Sequence, residues 1–247
     1  MSEAVRIAMW SGPRSISTAL MRSFGARSDT VVIDEPLYAA YLASTGSQHP
    51  MRAEILASQP QDWREVTASL IGPVPGGMRI WYQKHMSHHL LETFEGDWTD
   101  RLENVFLIRD PQAVLASYVE KRTEVTLADI GVKQQRMLFE READRLGRAP
   151  LVVESADVLR DPAKMLEALC NALKIPFDRA MLRWPPGRRA SDGVWAPAWY
   201  HAVEASTGFA PYRPDARTAL TGELQRIADE ARPHYARLAA HRFAPLA

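Results

Sequence analysis

Two turns carry side chains of the kind that grip anions. The first is Ser11-Gly12-Pro13-Arg14-Ser15-Ile16-Ser17-Thr18, which sits between a short apolar run and residues of helical spacing. Backbone N–H groups at such a helix start point outward and favour negative charge. Ser15, Ser17 and Thr18 add hydroxyl donors, and Arg14 adds a charged fork. A Walker loop needs Gly-x-x-x-x-Gly-Lys-Ser/Thr, and here the second Gly and the Lys are missing. Support for a Mg-nucleotide kinase or phosphotransferase drops accordingly. The second turn is Ile108-Arg109-Asp110-Pro111, with Ser117 eight residues beyond Arg109. An Arg at a strand end and a hydroxyl two helical turns later can clamp one phosphate from two sides. The competing reading is an Arg held by Asp110 or another carboxylate.

Other residues have plainer explanations. His85, His88 and His89 include an i, i+4 pair, which is a metal-ligand spacing. No acidic motif or second Cys completes a set, so no metal is expected. Trp184, Trp195, Trp199, Tyr200 and Phe209 gather late in the chain as packing residues, with room for one or two to stack on a ligand ring.

The elements that position these residues follow from apolar runs and their punctuation. Val5–Trp10, Thr30–Ile33, Arg79–Gln83, Asn104–Ile108 and Leu151–Val153 read as buried strands. Helices are expected over 15–27, 37–45, 50–58 and 62–71, from Pro111 through Tyr118, over 126–147, from Asp161 to Ile175, and over 215–240. Ser15 or Ser17 is expected to cap the first. Glu35 precedes Pro36, so it should lie in an extended or turning segment. The Pro/Gly run from Ile71 to Gly77 and the stretch 183–198 should be irregular. Strands alternating with helices imply an α/β fold whose central parallel sheet is covered by helices on both faces. Ligands in such sheets bind at the carboxyl ends of the strands. The turns after residues 10, 33 and 108 all fall there.

Composition bounds the partners. The 247 residues balance 30 Lys+Arg against 30 Asp+Glu, which argues against a whole-molecule grip on nucleic acid or an anionic membrane. Apolar residues make up 46%, enough for one real core, and one domain over 1–247 is expected. The single cysteine, Cys170, rules out an internal disulfide. No stretch reads as a secretion signal or a membrane span, so a cytoplasmic protein is expected.

Taken together, the turns resemble the sulfotransferase superfamily. Gly12 through Thr18 looks like the 5′-phosphosulfate loop, particularly the P-R-S-G-[TS]-T form of tyrosylprotein and bacterial carbohydrate sulfotransferases. Ile108-Arg109-Asp110-Pro111 with Ser117-Tyr118 looks like the 3′-phosphate signature R-[ND]-P…S. Val152-Val153-Glu154 through Leu159-Arg160-Asp161-Pro162, then Leu166 to Ile175-Pro176, is similar to the family's Y-E-D-L-x-x-D-P helix and its closing turn. Pro186-Gly187-Arg188-Arg189 with Gly193 and Trp195 is a looser echo of R-K-G…G-D-W.

The resemblance implies a three-layer, P-loop NTPase-like fold that binds 3′-phosphoadenosine 5′-phosphosulfate (PAPS). It implies metal-free transfer of the sulfuryl group to the hydroxyl or amine of a small molecule or carbohydrate. Arg14 and the loop Gly12, Pro13, Ser15, Ile16, Ser17 and Thr18 would hold the 5′-phosphosulfate. Arg109 and Ser117 would hold the 3′-phosphate, with Arg188 or Arg189 closing over it and Trp195 beside the cofactor. Glu35 resembles the catalytic Glu of the P-R-S branches, and His85 is the rival base. Two departures stand out. Arg14 replaces the Lys of most soluble members, which leaves Lys84 to supply the ammonium, and Ile16 replaces a Gly. A non-catalytic anion-binding relative is the remaining alternative.

Overall fold

A computed structural model describes residues 4–94, 96–118, 125–213 and 220–243. Five parallel strands form one sheet in the order β2-β3-β1-β4-β5: β1 Val5–Ser11, β2 Thr30–Asp34, β3 Ile80–Met86, β4 Glu103–Ile108 and β5 Leu151–Glu154. Between and after them run helices α1 Ser17–Gly25, α2 Tyr38–Thr45, α3 Arg52–Ser58, α4 Trp63–Leu70, α5 Pro111–Tyr118, α6 Leu127–Ile130, α7 Val132–Leu146, α8 Ser155–Arg160, α9 Pro162–Ala172, α10 Ala196–Trp199, α11 His201–Glu204 and α12 Gly222–Ala239.

Alternation along each strand splits the core in two. Ile7 and Met9 of β1 join Tyr82, Leu107 and Val153 on one face, under Leu20 and Phe24 of α1 and Leu166 and Leu169 of α9. Ala8 and Trp10 join Trp81, Phe106 and Val152 on the other, under Leu115 of α5, Phe139 of α7 and Ala231 of α12. Helices on both faces satisfy a parallel sheet whose strands are apolar on both sides. Each such fully buried side chain contributes up to about 1.5–3 kcal/mol.

Several boundaries differ from the sequence expectation. β3 runs three residues further than Gln83, so Lys84, His85 and Met86 are strand residues. The helix expected over 126–147 is broken at Gly131, whose φ of 69° lies in the left-handed region. A Cβ there would stand 2.9 Å from the His88 backbone nitrogen, so glycine lets this bend approach the turn after β3. The last helix begins at Gly222, and 215–219 of its expected span lie outside the described residues. The 183–198 stretch is irregular until α10, as its composition implies.

Candidate active site

The turn after β1 is tightly built. A Cβ on Gly12 would meet the Ile130 carbonyl at 2.5 Å, so only glycine fits beneath the loop. Arg14 and Ile16 both have φ of 58°. That region is costly for a side chain and most of all for a β-branched one, by roughly 1–3 kcal/mol. Ile16 thus takes the left-handed geometry that a glycine would adopt freely. Ile16 is also the N-cap of α1, without a side-chain cap, and the expected Ser15 or Ser17 cap is not formed. The Ser15 hydroxyl instead donates to the Gly12 carbonyl at 2.6 Å and closes the loop on itself.

The two anion turns meet. Arg14 Nε donates to Ser117 Oγ of α5 at 2.9 Å. Arg109 Nη1 donates to the Arg14 carbonyl at 2.7 Å. Ser155, at the end of β5, reaches the carbonyls of Ser15 and Ile108 at 3.0 and 2.8 Å and ties both turns to a third strand end. Gln135 of α7 donates to the Trp10 and Leu107 carbonyls, each at 2.9 Å, and seals the same strand ends from the opposite face.

A cavity of about 330 Å³ opens over these strand ends. Arg14, Ser15, Ser17, Thr18, Glu35, Lys84 and Arg109 all line it. Among the described residues, its lining carries two guanidinium groups and one ammonium (Arg14, Arg109 and Lys84) against one carboxyl group, Glu35. Trp199, Val203 and Phe209 close it from the late segment. The loop leading into that roof is pinned to α1 by Arg22 Nη2 on Asp192 Oδ2 at 2.6 Å, and to β2 by the Gly193 N–H on Asp34 Oδ2 at 3.1 Å.

On the cavity floor is a buried ionic cluster. Lys84 Nζ donates to Asp34 Oδ1 and to Tyr200 OH, each at 2.9 Å, and to Glu35 Oε1 in a shorter contact. All three ammonium protons therefore have acceptors, and Lys84 holds Glu35 in place. Tyr200 donates to Asp34 and accepts from Trp195 Nε1 at 3.2 Å. Glu35 has φ of 41°, and this strained turn swings its carboxyl back toward Lys84. Burial, reinforced by the Asp34 charge, raises the Glu35 pKa, and Lys84 opposes the rise. Burial works against the Lys84 ammonium, but Asp34 and Glu35 outweigh it and hold its pKa well above the ordinary value.

His85 leaves the candidate set. Adjacent strand residues point to opposite faces, so Lys84 faces the cavity side and His85 the other. The His85 ring stacks on Trp10 at 4.3 Å and is absent from the cavity lining. Burial, then Lys84, pushes its pKa down to about 3, which makes it a neutral packing residue. Arg188, Arg189 and Trp195 do not line the cavity either. Arg188 is exposed, Arg189 donates to the Pro185 carbonyl, and Trp195 is buried behind Tyr200. Asp34 was not singled out by the sequence, and Tyr200 was read there only as a packing or ring-stacking residue, not as a partner in this cluster. They lie 166 positions apart, and no local motif joins them.

A family model described as "Sulfotransferase domain" matches residues 5–240. The chain belongs to the sulfotransferase family. Two curated relatives from Arabidopsis thaliana bear other names. Branched-chain-amino-acid aminotransferase-like protein 1 is 37% identical over 88% of this chain and 39% of its own, and protein 2 is 36% identical over 81% and 35%. The chain thus spans under two fifths of the length of those relatives. Among solved structures, the sulfotransferase domain of the Synechococcus PCC 7002 olefin synthase matches with a TM-score of 0.59, at 20% identity over 96% of both chains. A sulfotransferase from Alicyclobacillus acidocaldarius matches at 0.54, with 14% identity over 99% and 98%. These likenesses establish the sulfotransferase fold for the parallel sheet. Among the described residues, no helix is long and apolar enough to cross a membrane, and no group of three or more His, Cys, Asp or Glu could hold a metal ion.

Proposed function

We propose that this sulfotransferase uses PAPS as donor and transfers its sulfuryl group to an acceptor hydroxyl. The observation that carries the reading is the junction of the two anion turns in one cavity, where Arg109 donates to the Arg14 carbonyl and Arg14 to Ser117. One doubly phosphorylated adenosine is the ligand whose two ends such a divided cradle suits.

The donor set fits that ligand. Arg14, Ser17, Thr18 and the first amides of the nine-residue α1 take the 5′-phosphosulfate. Arg109 and Ser117 take the 3′-phosphate, and Trp199 or Phe209 on the roof offers a ring to the base. PAPS supplies a sulfuryl group on a phosphate leaving group. The transition state is expected to be loose, as in phosphoryl transfer, so positioning and charge stabilisation do the catalytic work. Arg14 stabilises charge growing on the leaving phosphate oxygen. Glu35 accepts the acceptor's proton, and its raised pKa makes it a stronger base than an exposed carboxylate. Lys84, with Asp34 and Tyr200 behind it, fixes Glu35 in the geometry of attack.

Calorimetry tests the donor. Binding of adenosine 3′,5′-bisphosphate without Mg²⁺ supports the reading. Binding of ATP only with Mg²⁺ would make the protein a nucleotide phosphotransferase, and binding of neither would leave a non-catalytic relative. A labelled-sulfate transfer screen against sugar, phenol and amine pools then finds the acceptor.

A further inference from the structure

A buried nitrogen on the cavity wall belongs to His89, a residue the anion turns do not use. His89 Nδ1 makes no hydrogen bond, although the side chain is only 2% exposed. The ring is clamped between Tyr38, stacked at 4.3 Å, and Tyr41, stacked at 4.9 Å. It can turn toward neither, so Nδ1 is presented at a fixed point. That point is 3.9 Å from Glu35 Oε2, too long for a hydrogen bond, and both residues line the cavity. A buried nitrogen left without a hydrogen bond destabilises the fold and calls for an explanation.

We propose that the gap between Glu35 and His89 is the seat of the acceptor oxygen, and that it selects alcohols and phenols over amines. This rests on the donor reading above. With the two atoms 3.9 Å apart, an oxygen about 2.8 Å from both would have an angle of about 90° at itself, which two hydrogen bonds to one hydroxyl tolerate. The imidazole is neutral, because burial and then the neighbouring His88 and His49 hold its pKa well below the ordinary value. Facing a carboxylate, the neutral ring keeps its one proton on Nδ1, the nitrogen nearest the negative charge. The seat therefore offers one donor, His89 Nδ1–H, and one acceptor, Glu35 Oε2.

A hydroxyl matches both. It donates its proton to Glu35, accepts from His89 with one lone pair, and attacks with the other. The acceptor O–S bond forms as the bond from sulfur to the 5′-phosphate oxygen of PAPS breaks. The electron pair leaves on that phosphate oxygen, and the acceptor's proton ends on Glu35. An amine has one lone pair and cannot both accept from His89 and attack sulfur. Amines are thus disfavoured by the seat itself.

Two measurements test this on the full chain. Nitrogen NMR of the imidazoles, with His89 assigned by loss of its signal in His89→Gln, should show Nδ1 protonated. A proton on Nε2 instead would overturn the proposal. Transfer of labelled sulfate from PAPS to benzyl alcohol and to benzylamine should favour the alcohol by more than tenfold. His89→Phe should cut the alcohol rate about tenfold while leaving adenosine 3′,5′-bisphosphate affinity within twofold. Equal rates for the two probes, transfer to neither by protein that binds the bisphosphate, or full alcohol activity in His89→Phe would each overturn it. Failure of wild type to bind the bisphosphate would mark a failure of the donor reading instead.

Discussion

Replacing Lys84 with Met should be among the most damaging single changes in this fold. The ammonium is 1% exposed and lies between Asp34, also 1% exposed, and Glu35, 9% exposed. Glu35 can relieve itself by taking a proton, as its raised pKa already favours. Asp34 keeps donors from Tyr200 and Gly193 and is left as a buried charge without a cation. Removing one partner of a buried pair costs about 3–5 kcal/mol. A protein of this kind has only about 5–15 kcal/mol in total. Urea unfolding at pH 7 of wild type, Lys84→Met and the double variant Asp34→Asn/Lys84→Met measures it. The double variant removes both charges while Asn still accepts hydrogen bonds, so most of the loss should return. A single variant within about 1 kcal/mol of wild type, or a double variant no better than the single, would refute the ionic account of the cluster.

Three other outcomes follow from the titratable groups. Glu35→Gln should retain bisphosphate binding and lose at least about a hundredfold in turnover. In wild type, activity should fall as pH drops through the raised Glu35 pKa, so the acid limb should lie above the ordinary carboxylate range in a rate–pH profile. Glu154, buried at the end of β5 and hydrogen-bonded by Tyr235 at 2.8 Å, has its pKa pushed by burial up to about 7. A carboxyl raised on folding stabilises fully below its unfolded pKa, and that stability is lost as pH rises through the folded value. Between pH 4.5 and 8 the loss is about 3 kcal/mol. Glu154→Gln should escape it, and parallel stability–pH curves for the two proteins in urea titrations would contradict the assignment.

The strand ends were legible because apolar runs stopped by Gly, Pro and charge mark them without tertiary knowledge. Arg14, Glu35 and Arg109 follow directly from those stops. The end of β3 was obscured because Lys84 and His85 look like turn residues. Once both lie in a strand, its two-residue period sends one to each face, and His85 cannot share a site with Glu35. The bend at Gly131 was hidden inside an otherwise continuous helical pattern, since a lone glycine in a helix is tolerated. Asp34 and Tyr200 carry no spacing signal. Their link exists only because the roof folds back over β2. The Arg188–Arg189 echo had the right residue types, but neither residue lines the cavity.

In the proposed reading, Arg14 and Arg109 grip one nucleotide at its two ends. Calorimetric titration of wild type and Arg109→Ala with adenosine 3′,5′-bisphosphate and with adenosine 5′-monophosphate tests it most directly. A charge-assisted contact to the 3′-phosphate should make wild type prefer the bisphosphate by at least about tenfold, and Arg109→Ala should erase most of that preference. Equal affinity of wild type for the two nucleotides, or an undiminished preference in the variant, would contradict the account.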